Sequence, residues 1–451
     1  MDTREDVILM KHHHEALTPP MGWNSWDCYG ATVTEEEVKG NADYMAEHLK
    51  DYGWEYIVVD IQWSEPGAVS SAYRPFVPLE MDAYSRLIPA VNRFPSARNG
   101  KGFQSLASYV HQLGLKFGIH IMRGIPRQAV HQNTKILGTD VRARDIAKPN
   151  SICPWNTDMY GVDHTKDGAR QYYDSLFQLY AEWGVDFVKV DDIADSKLYG
   201  IHVEEIKMIR RAIDNCGRPM VLSLSPGPAP LEYASLLEEN ANMWRMTDDF
   251  WDLWPLLYDM FDRCYKWSKN VGPGYWPDAD MLPLGHIGIR SVDGGASDRY
   301  TRFTKDEQLT MMTLWSIFKS PLMFGGELRD NDDWTLSLIT NEEVLDVHRN
   351  GVGARQVYRD LDKVVWTSYG DDHTIYVALF NLNDQRERVT VTFEQLGIGG
   401  DKVEMRDLWE KADLGLATDI IDFELPPHGT KFIQLTNVSV QYCQRVTKLN
   451  L

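Results

Sequence analysis

The stretch Tyr172-Tyr173-Asp174-Ser175-Leu176-Phe177-Gln178-Leu179-Tyr180-Ala181-Glu182-Trp183-Gly184-Val185-Asp186-Phe187-Val188-Lys189-Val190-Asp191 reads as a helix, a stop and a strand. Tyr172, Leu176, Leu179 and Trp183 recur at helical spacing, Gly184 ends the helix, and Phe187 to Asp191 is an apolar run closed by a carboxylate. That is how a βα unit of a parallel sheet reads. The pattern occurs twice more without copying the sequence. Thr34-Glu35-Glu36-Glu37 has the form of a capping box, Val38, Ala42, Met45 and Leu49 follow at helical spacing, and Gly53 precedes the run Tyr56 to Asp60. Leu106, Val110 and Leu113 precede Gly114 and the run Lys116 to His120.

Further apolar runs at Met220 to Leu224, Met243 to Trp244 and Leu322 to Phe324 bring the strand candidates close to the eight of a (β/α)8 TIM barrel. In such barrels the active site lies at the C-terminal strand ends. Here those ends supply Asp60, His120, Asp191, Ser225, Arg245 with Asp249, and Asp278 with Asp280. An open doubly wound sheet gathers its ligands at one switch point, so this spread of polar ends favours the closed barrel. Beyond Arg349 the texture changes to alternating segments, Lys363 to Thr367, Thr374 to Phe380 and Arg388 to Phe393, which predict an antiparallel β-sandwich. The expected division is a catalytic barrel over 1–349 and a C-terminal sandwich over 350–451, with residues 438–451 open between a last strand and a tail.

The chain has 451 residues and a formal charge of −20. An acidic balance argues against nucleic acid or an anionic membrane as partner, since both select for Lys and Arg. Cys28, Cys153, Cys216, Cys264 and Cys443 are scattered and odd in number, which points to free thiols rather than a zinc site or a disulfide set. The opening Met1-Asp2-Thr3-Arg4-Glu5-Asp6 lacks the basic start and apolar run of a secretory signal, and no stretch approaches the roughly 18 apolar residues of a membrane span. A cytoplasmic location is expected. The run His12-His13-His14 is read as unliganded, and no metal or cofactor is expected.

Thr18-Pro19-Pro20-Met21-Gly22-Trp23-Asn24-Ser25-Trp26 resembles the opening of the α-galactosidase and α-N-acetylgalactosaminidase family, glycoside hydrolase family twenty-seven. The resemblance continues through Val59-Asp60-Ile61-Gln62-Trp63, Gly114 to His120, Trp183 to Asp191, Trp244-Arg245 with Asp249, and Asp278-Ala279-Asp280-Met281-Leu282. It runs on through Leu314-Trp315, Ser320-Pro321-Leu322, Asp407-Leu408-Trp409 and His428-Gly429, covering nearly the whole chain. It implies a retaining glycosidase in which one carboxylate attacks the anomeric carbon and another protonates the leaving oxygen and later activates water, with no metal or cofactor.

By motif, Asp191 falls on the nucleophile and Asp249 on the acid/base, although Asp192 and Asp248 stand one residue away. Lys189 shares a strand face with Asp191, where its ammonium would bind sugar hydroxyls and favour the ionised nucleophile. Arg245 matches a sugar-binding arginine. Trp23, Trp26 and Trp63 suit the apolar face of a pyranose. His120 stands where relatives often have tyrosine, and the Asp278 loop shapes the pocket in this family.

Two departures bear on the substrate. Galactosidases of the family hold the 4- and 6-hydroxyls with an Asp-Asp pair, but here Ile61 follows Asp60. A sugar without a 6-hydroxyl avoids leaving a polar group unpaired against that wall. β-L-arabinopyranose is α-D-galactopyranose without its hydroxymethyl group, and some family members are β-L-arabinopyranosidases. Ser223-Leu224-Ser225-Pro226-Gly227 replaces the bulkier Cys-Glu-Trp of typical α-galactosidases and opens the 2-position, as α-N-acetylgalactosaminidases do. Ile61 weighs more, because a missing partner discriminates whereas a roomy pocket only permits.

The expected protein is an exo-glycosidase removing terminal β-L-arabinopyranosyl, or equivalent α-D-galactopyranosyl, residues from an oligosaccharide or glycoside. The alternatives are an α-galactosidase, an α-N-acetylgalactosaminidase, a non-catalytic sugar-binding barrel or a metal-dependent lyase or aldolase. A homo-oligomer is expected.

Overall fold

The computed structural model describes residues 9–70, 73–291, 297–371, 373–399 and 402–438. The predicted helix starts and stops are built as the sequence spells them. Helix α1, Glu35–His48, opens with a capping box in which the Glu37 N–H donates to Thr34 Oγ1 at 3.4 Å and the Thr34 N–H to Glu37 Oε2 at 2.9 Å. It buries Val38, Ala42 and Met45, and Gly53, at φ 94°, turns the chain left-handed before the next strand. Helix α2, Gln104–Gln112, and helix α3, Ala169–Trp183, end on Gly114 and Gly184 in the same way. In α3 the buried face is wider than the predicted stripe. Phe177 and Tyr180 are buried beside Tyr172, Leu176 and Trp183, while Leu179 is only half-buried.

Eight parallel strands follow these rules: β1 Met21–Asn24, β2 Tyr56–Val59, β3 Lys116–Met122, β4 Phe187–Asp191, β5 Val221–Leu224, β6 Met243–Arg245, β7 Trp276–Asp278 and β8 Leu322–Phe324. They pair in sequence order from β1 to β7, and β8 pairs with β1. A parallel bridge between Leu282 and Phe324 joins the segment after β7 to β8 and closes the ring. This is the (β/α)8 TIM barrel expected from the sequence. Close pairing at β1 requires a glycine, since a Cβ on Gly22 would lie 2.5 Å from the Tyr56 carbonyl oxygen. The β3–β4 register sets His120 opposite Lys189 and Met122 opposite Asp191. Alternation along β4 buries Val188 and Val190 completely and leaves Lys189 and Asp191 on the inward, partly open face. The connection after β3 carries a small antiparallel sheet of Ile125–Pro126, Met159–Val162 and Ala147–Ile152.

The barrel strands belong to one compact unit, made of the described residues up to Trp251, in Gly272–Thr301 and in Pro321–Asn331. The second unit takes Asp252–Val271, Arg302–Ser320 and the described residues from Asp332 onward. Its centre is a six-stranded antiparallel sheet in which Val352–Asp360, Lys363–Tyr369, Ile375–Asn381, Thr430–Thr436, Val403–Asp407 and Ala412–Ala417 lie side by side. The pair Glu387–Thr392 and Ile420–Leu425 supplies the facing layer of the sandwich, and Val377, Leu379, Val389, Val391 and Ile421 fill the core between them. Ile375–Asn381 is buried along its whole length because helices cover its other face. Phe261 of the helix Trp254–Trp267 meets Phe380 edge-on at 4.9 Å, and Phe318 of Lys305–Phe318 meets Trp366 at 6.3 Å. Of the segment 438–451, only Val438 is among the described residues.

Candidate active site

The C-terminal ends of the barrel strands open into a cavity of about 220 Å³ that contains Asp60 and Ile61 after β2, Lys189 and Asp191 of β4, Pro226 after β5, and Asp249 after β6. Its aromatic walls are Trp26, Tyr73, Trp155 and Trp251. Trp26 and Tyr73 are stacked with ring centroids 6.1 Å apart.

Lys189 ties the floor together. Its Nζ donates to Asp60 Oδ2 at 3.0 Å, and Asn24 Nδ2 donates to the same oxygen at 2.8 Å. Burial raises the Asp60 carboxyl, but the Lys189 ammonium, His120 and the Asn24 amide overcome it and hold Asp60 below its ordinary value. Burial likewise opposes the charge on Lys189, and the Asp60 and Asp191 carboxylates reverse that and push it above the ordinary lysine value. At Asp191 burial is again outweighed, here by His120 and then by Lys189 and the Asp192 N–H. His120 Nε2 lies 3.2 Å from Asp191 Oδ2, and the Asp192 N–H donates to Asp191 Oδ1 at 2.9 Å. Asp191 is therefore held ionised well below the usual carboxylate range.

The neighbouring Asp192 has a different environment. At φ 56° the backbone swings its side chain away from the cavity, where Arg123 donates to its carboxylate at 2.9 Å and to its backbone carbonyl at 2.7 Å. Burial still raises it to about 6. Arg123 also donates its backbone N–H to the Asp191 carbonyl at 3.0 Å and reaches Glu205 at 3.1 Å, so one buried guanidinium braces the turn carrying Asp191.

On the opposite rim, Asp249 accepts from Arg245 at 3.0 Å and stays 61 % exposed at its side chain. Asp248 also lines the cavity, but its partner is Lys197, 3.7 Å away. Arg245 is buried and also pairs with Asp280 at 2.9 Å. Behind it, Asp278 accepts the Asp280 N–H at 2.8 Å, and burial with the Asp280 charge raises Asp278 to about 7. Asp27, which sequence reasoning did not mark, is fully enclosed and raised well above its ordinary value by burial, then by Asp280 and Asp249. Its Oδ2 finds no hydrogen-bond partner among the described residues and stands where a Cβ on Gly325 would be, 2.0 Å away. The crowd of carboxyls around Lys189 and Arg245 is thus sorted by environment. Asp60 and Asp191 are stabilised as anions, whereas Asp27 and Asp278 are stabilised as neutral acids. Among the described residues no three His, Cys, Asp or Glu side chains form a group that could hold a metal ion.

Of the residues marked from sequence, Trp26, Asp60, Ile61, Lys189, Asp191 and Asp249 converge on the cavity, His120 and Arg245 stand behind it in contact with Asp191 and Asp249, and Asp278 accepts from the Asp280 N–H beyond Arg245. Two tryptophans do not converge. Trp23 is fully buried with its indole N–H on the Gly326 carbonyl, and Trp63 donates to the His120 carbonyl at 2.7 Å and packs edge-on to Phe103 and Trp183. Strand and turn geometry point both into the barrel wall, which corrects their reading as sugar platforms. Ser225 is buried with its hydroxyl on the Val190 carbonyl at 3.4 Å, and its neighbour Pro226 is what reaches the cavity. The residues that sequence reasoning missed, Tyr73, Trp155 and Trp251, sit on irregular loops where no periodicity marks them.

Ile61 is 5 % exposed and packs with Met122, Cys153 and Met159 in an apolar cluster that Trp26, Tyr73 and Trp155 extend. One quadrant of the cavity beside Asp60 is therefore hydrocarbon and aromatic.

A family model described as Alpha galactosidase A matches residues 18–165 and 157–350, and one described as Alpha galactosidase C-terminal beta sandwich domain matches 360–435. Among solved structures, an aspartate-to-alanine variant of a GH27 β-L-arabinopyranosidase from Geobacillus stearothermophilus, in complex with arabinose, is 73% identical with a TM-score of 0.94, covering 96% of this chain and 100% of that one. A Bacillus halodurans protein provisionally assigned as an α-N-acetylgalactosaminidase is 62% identical with a TM-score of 0.85, covering 93% of this chain and 97% of that one. An α-galactosidase from Cyamopsis tetragonoloba is 29% identical over 93% of this chain and 86% of its own length.

Proposed function

The chain belongs to the α-galactosidase A family, glycoside hydrolase family 27, and on that premise we propose that it is a retaining exo-β-L-arabinopyranosidase. The observation that carries the choice of sugar is Ile61, set in an apolar cluster beside Asp60 in the sugar cavity. A pentopyranose presents only C5 hydrogens to such a wall, while a galactoside presents a hydroxyl that gives up water and gains no partner.

In this reading Asp191 attacks the anomeric carbon. Its anionic form is stabilised by His120 and Lys189, so no base has to activate it. Asp249, on the open rim, delivers a proton to the departing oxygen and afterwards takes one from the attacking water. Its exposure suits that exchange. Lys189 and Asp60 form a preorganised donor–acceptor pair for the ring hydroxyls. Arg245 orients Asp249 through Nη2, and the same nitrogen is held by Asp280. The reading as an α-N-acetylgalactosaminidase is weakened by Ser225, whose hydroxyl is bonded to the Val190 backbone instead of facing the cavity.

The test is kcat/KM on matched nitrophenyl β-L-arabinopyranoside, α-D-galactopyranoside and α-N-acetylgalactosaminide. The arabinoside should lead. A lead for the acetamido sugar would place the choice with the segment around Ser225 and overturn the assignment.

A further inference from the structure

A second and larger cavity, of about 930 Å³, lies beside the first, lined by Phe76, Leu79, Arg127, His131, Arg144 and Tyr160 among others. The two are joined by short chain. Tyr73 and Trp155 line the catalytic cavity, and Phe76 and Thr157, three and two residues later, line this one. At no more than ~3.6 Å per residue, the separations along the chain are at most about 11 Å and 7 Å. The Phe76 N–H donates to Thr157 Oγ1 at 2.8 Å, tying the two loops together. The two cavities therefore lie on neighbouring turns of the same two loops, so this space is within reach of an aglycone that extends past Tyr73 and Trp155.

Arg127 is its distinctive group. The guanidinium lies over the Tyr160 ring at 4.5 Å and the Phe76 ring at 5.0 Å. Other enclosed arginines hold oxygen acceptors on at least one terminal nitrogen, although among the described residues the Nε of Arg93 and of Arg245 also lacks one. Arg93 serves the carbonyls of Gln62, Glu65, Ala31 and Val33, Arg123 serves Asp192 and Glu205, and Arg245 serves Asp249 and Asp280. Among the described residues Arg127 makes no ion pair, and its buried Nε has no acceptor. Asp158 accepts only the backbone N–H of Arg127, at 2.7 Å on its carbonyl oxygen, and its carboxyl takes the Gln62 Nε2 donor at 2.6 Å. Arg144 in the same wall spends its donors on the Val130 and His131 carbonyls and adds positive charge without competing for an anion. A planar guanidinium held by two rings, with unused edge donors, matches a planar carboxylate bidentately. Phe76, 69 % exposed, leaves ring surface for a sugar.

We propose that this cavity is an aglycone subsite for a uronic acid, whose carboxylate pairs with Arg127. The proposal rests on the glycosidase reading of the neighbouring cavity. It confines the natural substrates to arabinopyranosyl groups carried on acidic oligosaccharides, a property unexpected of a chain with net charge −20.

The experiment compares kcat/KM for arabinopyranosyl-glucuronic acid with that for its neutral methyl ester, in wild type and Arg127→Met. Methionine keeps the packing between the rings. The acid should be preferred at least tenfold by wild type and less than twofold by the variant, with hydrolysis of nitrophenyl β-L-arabinopyranoside unchanged. A wild-type ratio near one, a ratio that survives in the variant, or equal suppression of the ratio by inorganic phosphate at the same concentration as free glucuronate overturns the subsite. If no arabinopyranoside is cleaved at all, the glycosidase reading fails by itself. The subsite is then decided by calorimetric titration with methyl glucuronide and its methyl ester. Binding of the acid alone, lost in Arg127→Met, sustains it, and equal or absent binding overturns it.

Discussion

Replacing Ile61 by Asp should change which sugar the enzyme prefers, and the structure sets the size of the effect. The Ile61 side chain is enclosed by Met122, Cys153 and Met159, and Lys189, a cation lining the same cavity, is already bonded to Asp60. A 6-hydroxyl pressed against this wall is an unpaired buried donor and acceptor, costing about 1–3 kcal/mol, or roughly 5- to 150-fold in kcat/KM. In Ile61→Asp the carboxylate accepts that hydroxyl, and a hydrogen bond to a charged group contributes about 1.5–3 kcal/mol. The arabinoside loses at the same time, because its C5 now faces a desolvated charge beside Asp60 and Asp191, which raises the nucleophile as well. The ratio of arabinoside to galactoside kcat/KM should fall by about two orders of magnitude. The assay is the two nitrophenyl glycosides at one pH, with circular dichroism confirming a native fold. A folded variant whose ratio moves less than threefold refutes the reasoning and leaves Ile61 as barrel packing.

Asp191→Ala should lose hydrolysis and, with azide, form the glycosyl azide of inverted configuration. Asp249→Ala with azide should form the retained product, and an inverted azide from Asp192→Ala would shift the nucleophile by one residue. Arg123→Lys keeps the charge but loses arms of the guanidinium shared by Asp192 and Glu205, so urea unfolding should show about 2–4 kcal/mol lost. Asp278 has a folded value raised to about 7, so its contribution to stability is full below the unfolded value near 4 and declines as pH rises to 7. Unfolding free energy measured between those limits should therefore fall less steeply with pH in Asp278→Asn than in wild type, by up to about 1.4 kcal/mol per pH unit, and parallel curves would contradict the assignment.

Most of the barrel is legible in the sequence because each βα unit carries its own punctuation. The capping box at Thr34, the glycines at positions 53, 114 and 184, and the apolar runs after them need no tertiary information. Strands β1 and β7 escape periodicity, being four and three residues long and containing Gly22, Asn24 and Pro277. The polar strand ends were legible because a carboxylate closing an apolar run at the C-terminal end of a barrel strand has little packing use there. The tryptophans were not, because the sugar face is decided by side-chain direction. Trp23, in β1, points into the wall, and Trp26, just beyond it, reaches the cavity. Asp27 and the choice between Asp191 and Asp192 depend on a backbone turn and on Arg123 arriving from another strand end, neither of which is local. In the second unit the alternating segments gave the strands, but the helices that cover the far face of Ile375–Asn381 come from Asp252–Val271 and Arg302–Ser320, distant in sequence.

The most direct measurement is covalent trapping with 2-deoxy-2-fluoro β-L-arabinopyranosyl fluoride, followed by peptide mapping and by a rate comparison with the matching galactosyl reagent. The account expects one sugar per chain, attached to Asp191, with the pentosyl reagent reacting faster. An adduct on Asp192, no adduct on any carboxylate, or faster labelling by the galactosyl reagent would contradict it.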